Sequence, residues 1–258
     1  MIFILGPRRS GTSLCRALIG SHPNVVIPPT DVGVLDIDLY FEKYGIDLGI
    51  EKLRKNEKLK EWKLDINKIE KIIRSSNKSI FISRIIYNEF FSKYPDKVKI
   101  VKRPTYEKNW RYIKELYPEV RFIYMIRDPR AIVSSRKYFG KKISDRNELV
   151  RYSRNINKLY KYYKEIQDIS IKIRYEDLVN NPKEELKKIC NFIEIDYTDD
   201  MLNFSKYWGL DENQSSFDID NKKIIYNSSI DRWKNKLTED EIRIIENINR
   251  LYMKEGGY

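Results

Sequence analysis

The opening stretch, MIFILGPRRSGTSLCRALIGSHP, admits few folds. Apolar Ile2 to Leu5 run into Gly6, and Gly11 precedes an apolar-periodic stretch that stops at a Ser-His-Pro turn. The pattern predicts a buried strand, a glycine-bounded turn and a helix. Backbone N–H groups of such a turn can point inward at an anion, and the positive end of the helix adds to the field. The spacing is that of a Walker A loop, but Thr12 stands where a nucleotide triphosphatase carries lysine, and Ser13 follows it. That departure points away from ATP chemistry.

The rest of the chain repeats the strand-then-helix scheme. VKIVKRP reads as a strand ending at Lys102, followed by a helix from about Tyr106 to Tyr117. RFIYMIRDPR ends a stronger strand at Arg127, with Asp128 as helix N-cap and Pro129 at the first helical position. Arg146 to Ile166 reads as one long helix. ISIKIRYEDL ends a strand at Arg174 and Tyr175, and Asn181-Pro182 with Glu184 opens another helix. This order predicts an α/β fold of the P-loop type, a three-layer arrangement with a central, mainly parallel sheet flanked by helices. A single domain over residues 1–258 is expected, since no linker or internal repeat divides it.

Two segments depart from the scheme. After a short strand at Val25 to Ile27, Pro28-Pro29 force an extended exit to Thr30-Asp31. Helical spacing then takes over in Glu51 to Trp62, Ile66 to Ser75 and Ile80 to Tyr94, giving a helical insertion over about 35–97 of the kind that walls a second substrate. Residues 204–229, with Gly209, Ser215-Ser216 and Ser228-Ser229, read as a lid-like loop. Thr238 and Glu241 then form a capping box for a final helix ending near Met253.

Ligands of parallel sheets bind outside the carboxyl ends of the strands. Each of those ends is basic here: Arg9, Lys102, Arg127 and Arg174. Beside a phosphate-type loop they predict a ligand with more than one anionic group. The formal charge of +12, from 50 Lys and Arg against 38 Asp and Glu, also suggests an anionic partner, although most of the excess reads as solvated helix surface. No export signal or apolar span is legible, so a cytoplasmic location is expected. Cys15 and Cys190 read as buried thiols, and His22, in a helix-stop turn, as structural.

PRRSGTSL resembles the 5′-phosphosulfate loop of sulfotransferases that use 3′-phosphoadenylyl sulfate, with Arg9, Ser10, Gly11, Thr12 and Ser13 in the matching positions. RDPRAIVSS is similar to that family's 3′-phosphate motif, which implies Arg127 and Ser135 on the 3′-phosphate. The SHP turn, IVKRP, RYEDLVNNP and SIDRWKNKL extend the resemblance over most of the chain, toward the bacterial and protein-tyrosine branch. The resemblance implies Tyr175 near the nucleotide, Ser229 and Arg232 in a stretch closing over it, and Arg9 and Lys102 stabilising charge on a transferred sulfuryl group. It implies no metal. Its proton acceptor follows Pro-Pro directly, whereas here Asp31 is displaced by one position; Asp31 is the candidate base, with Asp36 and Asp38 as fallbacks. The acceptor and the oligomeric state are not legible.

Two other classes compete. A P-loop kinase would use Asp128 as its metal-facing acid, against which stand Thr12 and the intervening Arg127. A non-enzymatic binder of nucleic acid or membrane needs a basic stripe with interleaved aromatics. RKYFGKK and KLYKYYK mix Lys with Tyr, but Tyr is abundant throughout, and no nucleic-acid partner is expected.

Overall fold

The structure, a computed structural model, describes residues 1–29, 32–76, 81–139, 143–204 and 229–258. Five strands form one parallel sheet: β1 (Ile2–Leu5), β2 (Val25–Val26), β3 (Val98–Lys102), β4 (Arg121–Ile126) and β5 (Ser170–Arg174), in the order β2-β3-β1-β4-β5. Central β1 is buried at all four residues, so IFIL carries no polar face.

The side-chain alternation of the strands divides the core in two. Phe3 and Leu5 of β1 and Phe122, Tyr124 and Ile126 of β4 face one layer of helices, while Ile2, Ile4, Ile123 and Met125 face the other. The second layer is α1 (Thr12–Gly20), α9 (Tyr175–Asn180) and α10 (Pro182–Ile193). The first contains the helices of the insertion, then α6 (Trp110–Leu116), α7 (Pro129–Phe139), α8 (Arg146–Lys164), α11 (Glu239–Ile248) and α12 (Arg250–Gly256). Both cysteines are buried free thiols in the second layer.

The insertion differs from its predicted boundaries. Its first helix, α2 (Val34–Lys55), begins well before Glu51 and breaks at Gly45, whose φ of 80° and ψ of 178° are open to glycine. The predicted Glu51 to Trp62 helix is interrupted at Asn56, whose side chain accepts from the Leu59 amide and starts the short α3 (Glu57–Lys60). Beyond it lie α4 (Ile66–Ser75) and α5 (Ile82–Phe91). The strand at β2 stops one residue short of Ile27, and the Tyr106 to Tyr117 helix begins as a 3₁₀ turn at Glu107–Asn109. Asn181 makes no side-chain cap; Pro182 at the first position of α10 suffices. The last predicted helix divides at Asn249, whose side-chain amide donates to the Ile245 carbonyl.

Other local rules hold. His22 Nε2 donates to the Asp196 carbonyl, 2.8 Å away, and Nδ1 accepts from the Asn24 amide, a structural role. Most of the 204–229 segment, including Ser215, Ser216 and Ser228, lies outside the described residues. Among the described residues no helix is long and apolar enough to cross a membrane.

The capping box on α11 is complete, with Thr238 Oγ1 accepting from the Glu241 amide and Glu241 accepting from the Thr238 amide. Thr238→Ala is expected to cost about 1 kcal/mol, lowering Tm by about 2–4 °C in a calorimetric scan.

Candidate active site

β1 is the switch point of the sheet, because the chain leaves it toward β2 and β3 on one side and β4 and β5 on the other. The loop from Gly6 to Gly11 sits at its carboxyl end. Gly6 has a φ of 141°, and a Cβ there would lie 2.6 Å from the Met125 carbonyl and 2.8 Å from Ser10 Oγ. Gly11 has a φ of 97°, and its Cβ would lie 2.4 Å from the Tyr175 ring. Glycine is therefore required twice, for backbone conformation and for close approach. Arg9 between them also has a positive φ, 75°, a conformation that costs free energy in a non-glycine residue.

The loop and the second motif meet. Arg9 Nε donates to Ser135 Oγ at 2.9 Å, across 126 residues of sequence. Arg127, buried at the end of β4, donates through Nη1 to the Arg9 carbonyl at 3.0 Å and through Nη2 to the Ser229 carbonyl at 2.8 Å. Its guanidinium lies 4.1 Å from the centre of the Tyr175 ring, a cation–π contact, and the Tyr175 hydroxyl pairs with Ser229 Oγ at 2.6 Å. Arg9, Gly11, Arg127, Ser135, Tyr175 and Ser229 therefore form one cluster. Ser10 is fully buried beside it, Thr12 is buried, and Ser13 is half-buried in the first turn of α1.

The cluster is electropositive by construction. Burial, and then the neighbouring Arg127 cation, pull the Arg9 guanidinium below its ordinary pKa. Ser10 Oγ and Arg127 Nε are buried without a hydrogen-bond partner. Two unsatisfied buried donors beside adjacent guanidinium groups and a glycine-bounded loop fit an anionic ligand with separated phosphate-type groups.

Other predicted residues are placed differently. Arg174 is spent on Asp177 and the Gly257 carbonyl and lies 4.9 Å from the Tyr258 ring, so it does not join the cluster. Lys102 is half-buried and lines a cavity of about 10 Å³ with Arg16, Pro28, Val32, Trp62, Tyr87 and Val101. Arg232 is half-buried in a 3₁₀ turn, Arg232–Asn235, three residues past Ser229. Asp31 lies outside the described residues. Its fallbacks are engaged: Asp36 accepts from Arg103 at 2.6 Å and from the Tyr106 hydroxyl, and Asp38 accepts from the Ser83 amide at 2.9 Å and from the Tyr112 hydroxyl. Asp128 is gripped by Arg130 through Nε and Nη2, and Arg130 reaches on to Glu246. That carboxylate is committed to Arg130 of α7, unlike a metal-facing acid of a kinase.

Several supporting residues escaped the sequence reading. Tyr252 on α12 accepts from the Arg127 amide at 2.9 Å and donates to its carbonyl at 2.7 Å. Glu176 accepts from the Asp128 amide and from the Tyr258 hydroxyl. The available signal was two tyrosines near the end of an apolar helical stretch, where a buried hydroxyl needs a partner. Arg16, inside the apolar run of α1, was equally visible as an oddity.

Glu107 lies under the loop and is fully buried. Neither carboxyl oxygen has a well-formed hydrogen bond; its nearest donors are the Gly6 amide and its own. The Thr105 amide, two residues earlier, donates to the Gly6 carbonyl at 3.1 Å.

The matching family model is that of the sulfotransferase family, over residues 2–199. A putative protein-tyrosine sulfotransferase of Caenorhabditis briggsae is 28% identical over 96% of this chain and 85% of its own length. Among solved structures, the sulfotransferase domain of the Synechococcus PCC 7002 olefin synthase superposes with a TM-score of 0.66, 22% identity, and coverage of 96% of this chain and 93% of that one. Mouse sulfotransferase SULT7A1, complexed with PAP, gives 0.54 at 16% identity, covering 98% of this chain and 84% of that chain. At these identities the two structures speak for the fold.

Burial pushes the Glu107 carboxyl from its ordinary 4.5 up to about 8. The folded protein then holds a proton that the unfolded chain has released, so this group's contribution is fully present below about 4.5 and is lost as pH rises through about 8. Glu107→Gln should remove that slope. Thermal melts at pH 5 and 8.5 are expected to show the variant gaining several degrees on wild type at the higher pH only; parallel pH profiles would refute the assignment.

Proposed function

The chain belongs to the sulfotransferase family, and from that premise we propose that Arg9, Ser10, Gly11, Thr12, Ser13, Arg127, Ser135 and Tyr175 hold 3′-phosphoadenylyl sulfate while its sulfuryl group passes to an acceptor hydroxyl. The observation that carries this reading is the meeting of the two phosphate motifs, Arg9 on Ser135 and Arg127 on the Arg9 carbonyl, around buried donors that lack partners. The loop amides and Arg9 would take the 5′-phosphosulfate end. Arg127 and Ser135 would take the 3′-phosphate, and Ser229 and Arg232 would border the nucleotide.

When bound, the donor supplies an activated sulfuryl group on a nucleotide leaving group. The protein has to neutralise charge on the transferred group and leaving oxygen, and to align the nucleophile. Arg9, Lys102 and the N–H groups near Gly11 supply that positive field. The acceptor hydroxyl adds to sulfur as the bond to the leaving oxygen breaks, and its proton goes to a base. We assign the base to Asp31 from its place in the sequence, since the carboxylates of Asp36 and Asp38 already accept from two partners each. The likeness to a protein named for tyrosine sulfation makes a peptide tyrosine the first acceptor to try, before glycans, lipids and small alcohols.

Sulfate transfer from labelled donor into that panel tests the reading, and incorporation into none would refute it. Arg9→Ala and Lys102→Ala are each expected to lower kcat by about 100- to 1,000-fold. Asp31→Asn should lower it about 100- to 10,000-fold with unchanged affinity for adenosine 3′,5′-bisphosphate; near-normal turnover would remove Asp31 from the mechanism. For Arg127→Ala, calorimetric titration should show that affinity weakened roughly 10- to 100-fold, the loss of a charge-assisted contact. Unweakened binding would remove Arg127 from the nucleotide site.

A further inference from the structure

Arg16 is a buried cation, 4% exposed, between Cys15 and Ala17, which are buried against the second helical layer. A charged side chain there is costly unless its donors are used. Arg16 Nη2 donates to the Pro28 carbonyl at 2.9 Å and to the Pro29 carbonyl at 2.6 Å. Those prolines have no N–H of their own, and β2 has left the sheet at Val26, so carbonyls are the only backbone polar groups by which Pro28 and Pro29 can be held. The planar guanidinium reaches two successive ones.

Both ends of this contact have functional neighbours. Arg16 lies one helical turn beyond Thr12 and Ser13 of the phosphate loop, on the same rigid helix. Pro28 and Val32 line the small cavity that Lys102 and Arg16 also line.

We propose that Arg16 is a positioning residue for sulfuryl transfer: by clamping the Pro28 and Pro29 carbonyls it fixes that wall of the cavity shared with Lys102 against the helix that carries the donor loop. It touches neither donor nor acceptor; it sets the register between them. The proposal rests on the sulfuryl-transfer reading for its kinetic consequence, while the clamp itself is a physical contact with its own readout.

Arg16→Met keeps most of the buried volume and removes the donors; Arg16→Lys keeps a cation but loses the planar Nη2 group that donates to both carbonyls. In Arg16→Met, kcat for the acceptor found in the panel should fall about 100-fold, the scale of a misaligned nucleophile, with affinity for adenosine 3′,5′-bisphosphate within about threefold of wild type. Arg16→Lys should recover part of kcat. Hydrogen exchange should quicken at the amides of residues 32–36 in Arg16→Met and stay unchanged at residues 8–13. A kcat within about threefold of wild type, or nucleotide affinity falling as far as kcat, would overturn the positioning role. If Arg16→Met fails to fold, the same criteria apply to Arg16→Lys, with a smaller drop in kcat still required. Exchange needs no turnover, so a wild-type chain without sulfuryl transfer would sink the functional reading while unaltered exchange at residues 32–36 would separately sink the clamp.

Discussion

The buried guanidinium of Arg127 is the interaction on which the site depends. Among the described residues it has no carboxylate within ion-pair distance; its charge rests on the carbonyls of Arg9 and Ser229 and on the face of Tyr175. Each of those contacts ties in a different part of the chain: the phosphate loop, the approach to the last helices, and the end of β5. A buried cation satisfied only by dipoles remains poorly compensated, and a phosphate-type anion beside it would supply what the fold withholds. The same requirement explains why Arg9, with positive φ and a pKa lowered by burial and by Arg127, is tolerated. Backbone strain and charge crowding are concentrated where a ligand would relieve them.

Elsewhere the high content of charge has an ordinary use. Glu51 with Lys55, Glu57 with Lys60, Glu184 with Lys187 and Glu239 with Arg243 are exposed pairs one helical turn apart. Such pairs contribute little stability individually and keep helical surfaces solvated. The sheet buries both faces instead, and the separation of its inner residues into two layers leaves the carboxyl edge as the place where charge can converge.

How much was legible follows from where each determinant sits. IFIL, VKIVK and RFIYMI are local apolar runs, and their strands fall within a residue or so of the reading. Asp128-Pro129 and Thr238 with Glu241 are local cap signals, and they too are found. The Gly6–Gly11 loop was legible from its glycines and the helix that follows, whereas the pairing of Arg127 with Ser135 was supplied by the resemblance, with the strand-helix spacing in agreement. What escaped needed a second segment to be recognised. Asn56 and Asn249 act as breaks because of their hydrogen bonds, whereas their residue type alone suits many positions. Asp36 and Asp38 looked available as bases until Arg103, Tyr106, Ser83 and Tyr112 were brought against them. Arg174 matched the strand-end rule yet found its partners in Asp177 and the Gly257 carbonyl.

Tyr252 closes both backbone hydrogen bonds of Arg127 from 125 residues further along the chain. During synthesis, the loop, β4 and Ser135 emerge long before the residue that locks the corner between β4 and α7. The corner that carries Arg127 is therefore completed only when α12, more than a hundred residues further along the chain, has packed against it.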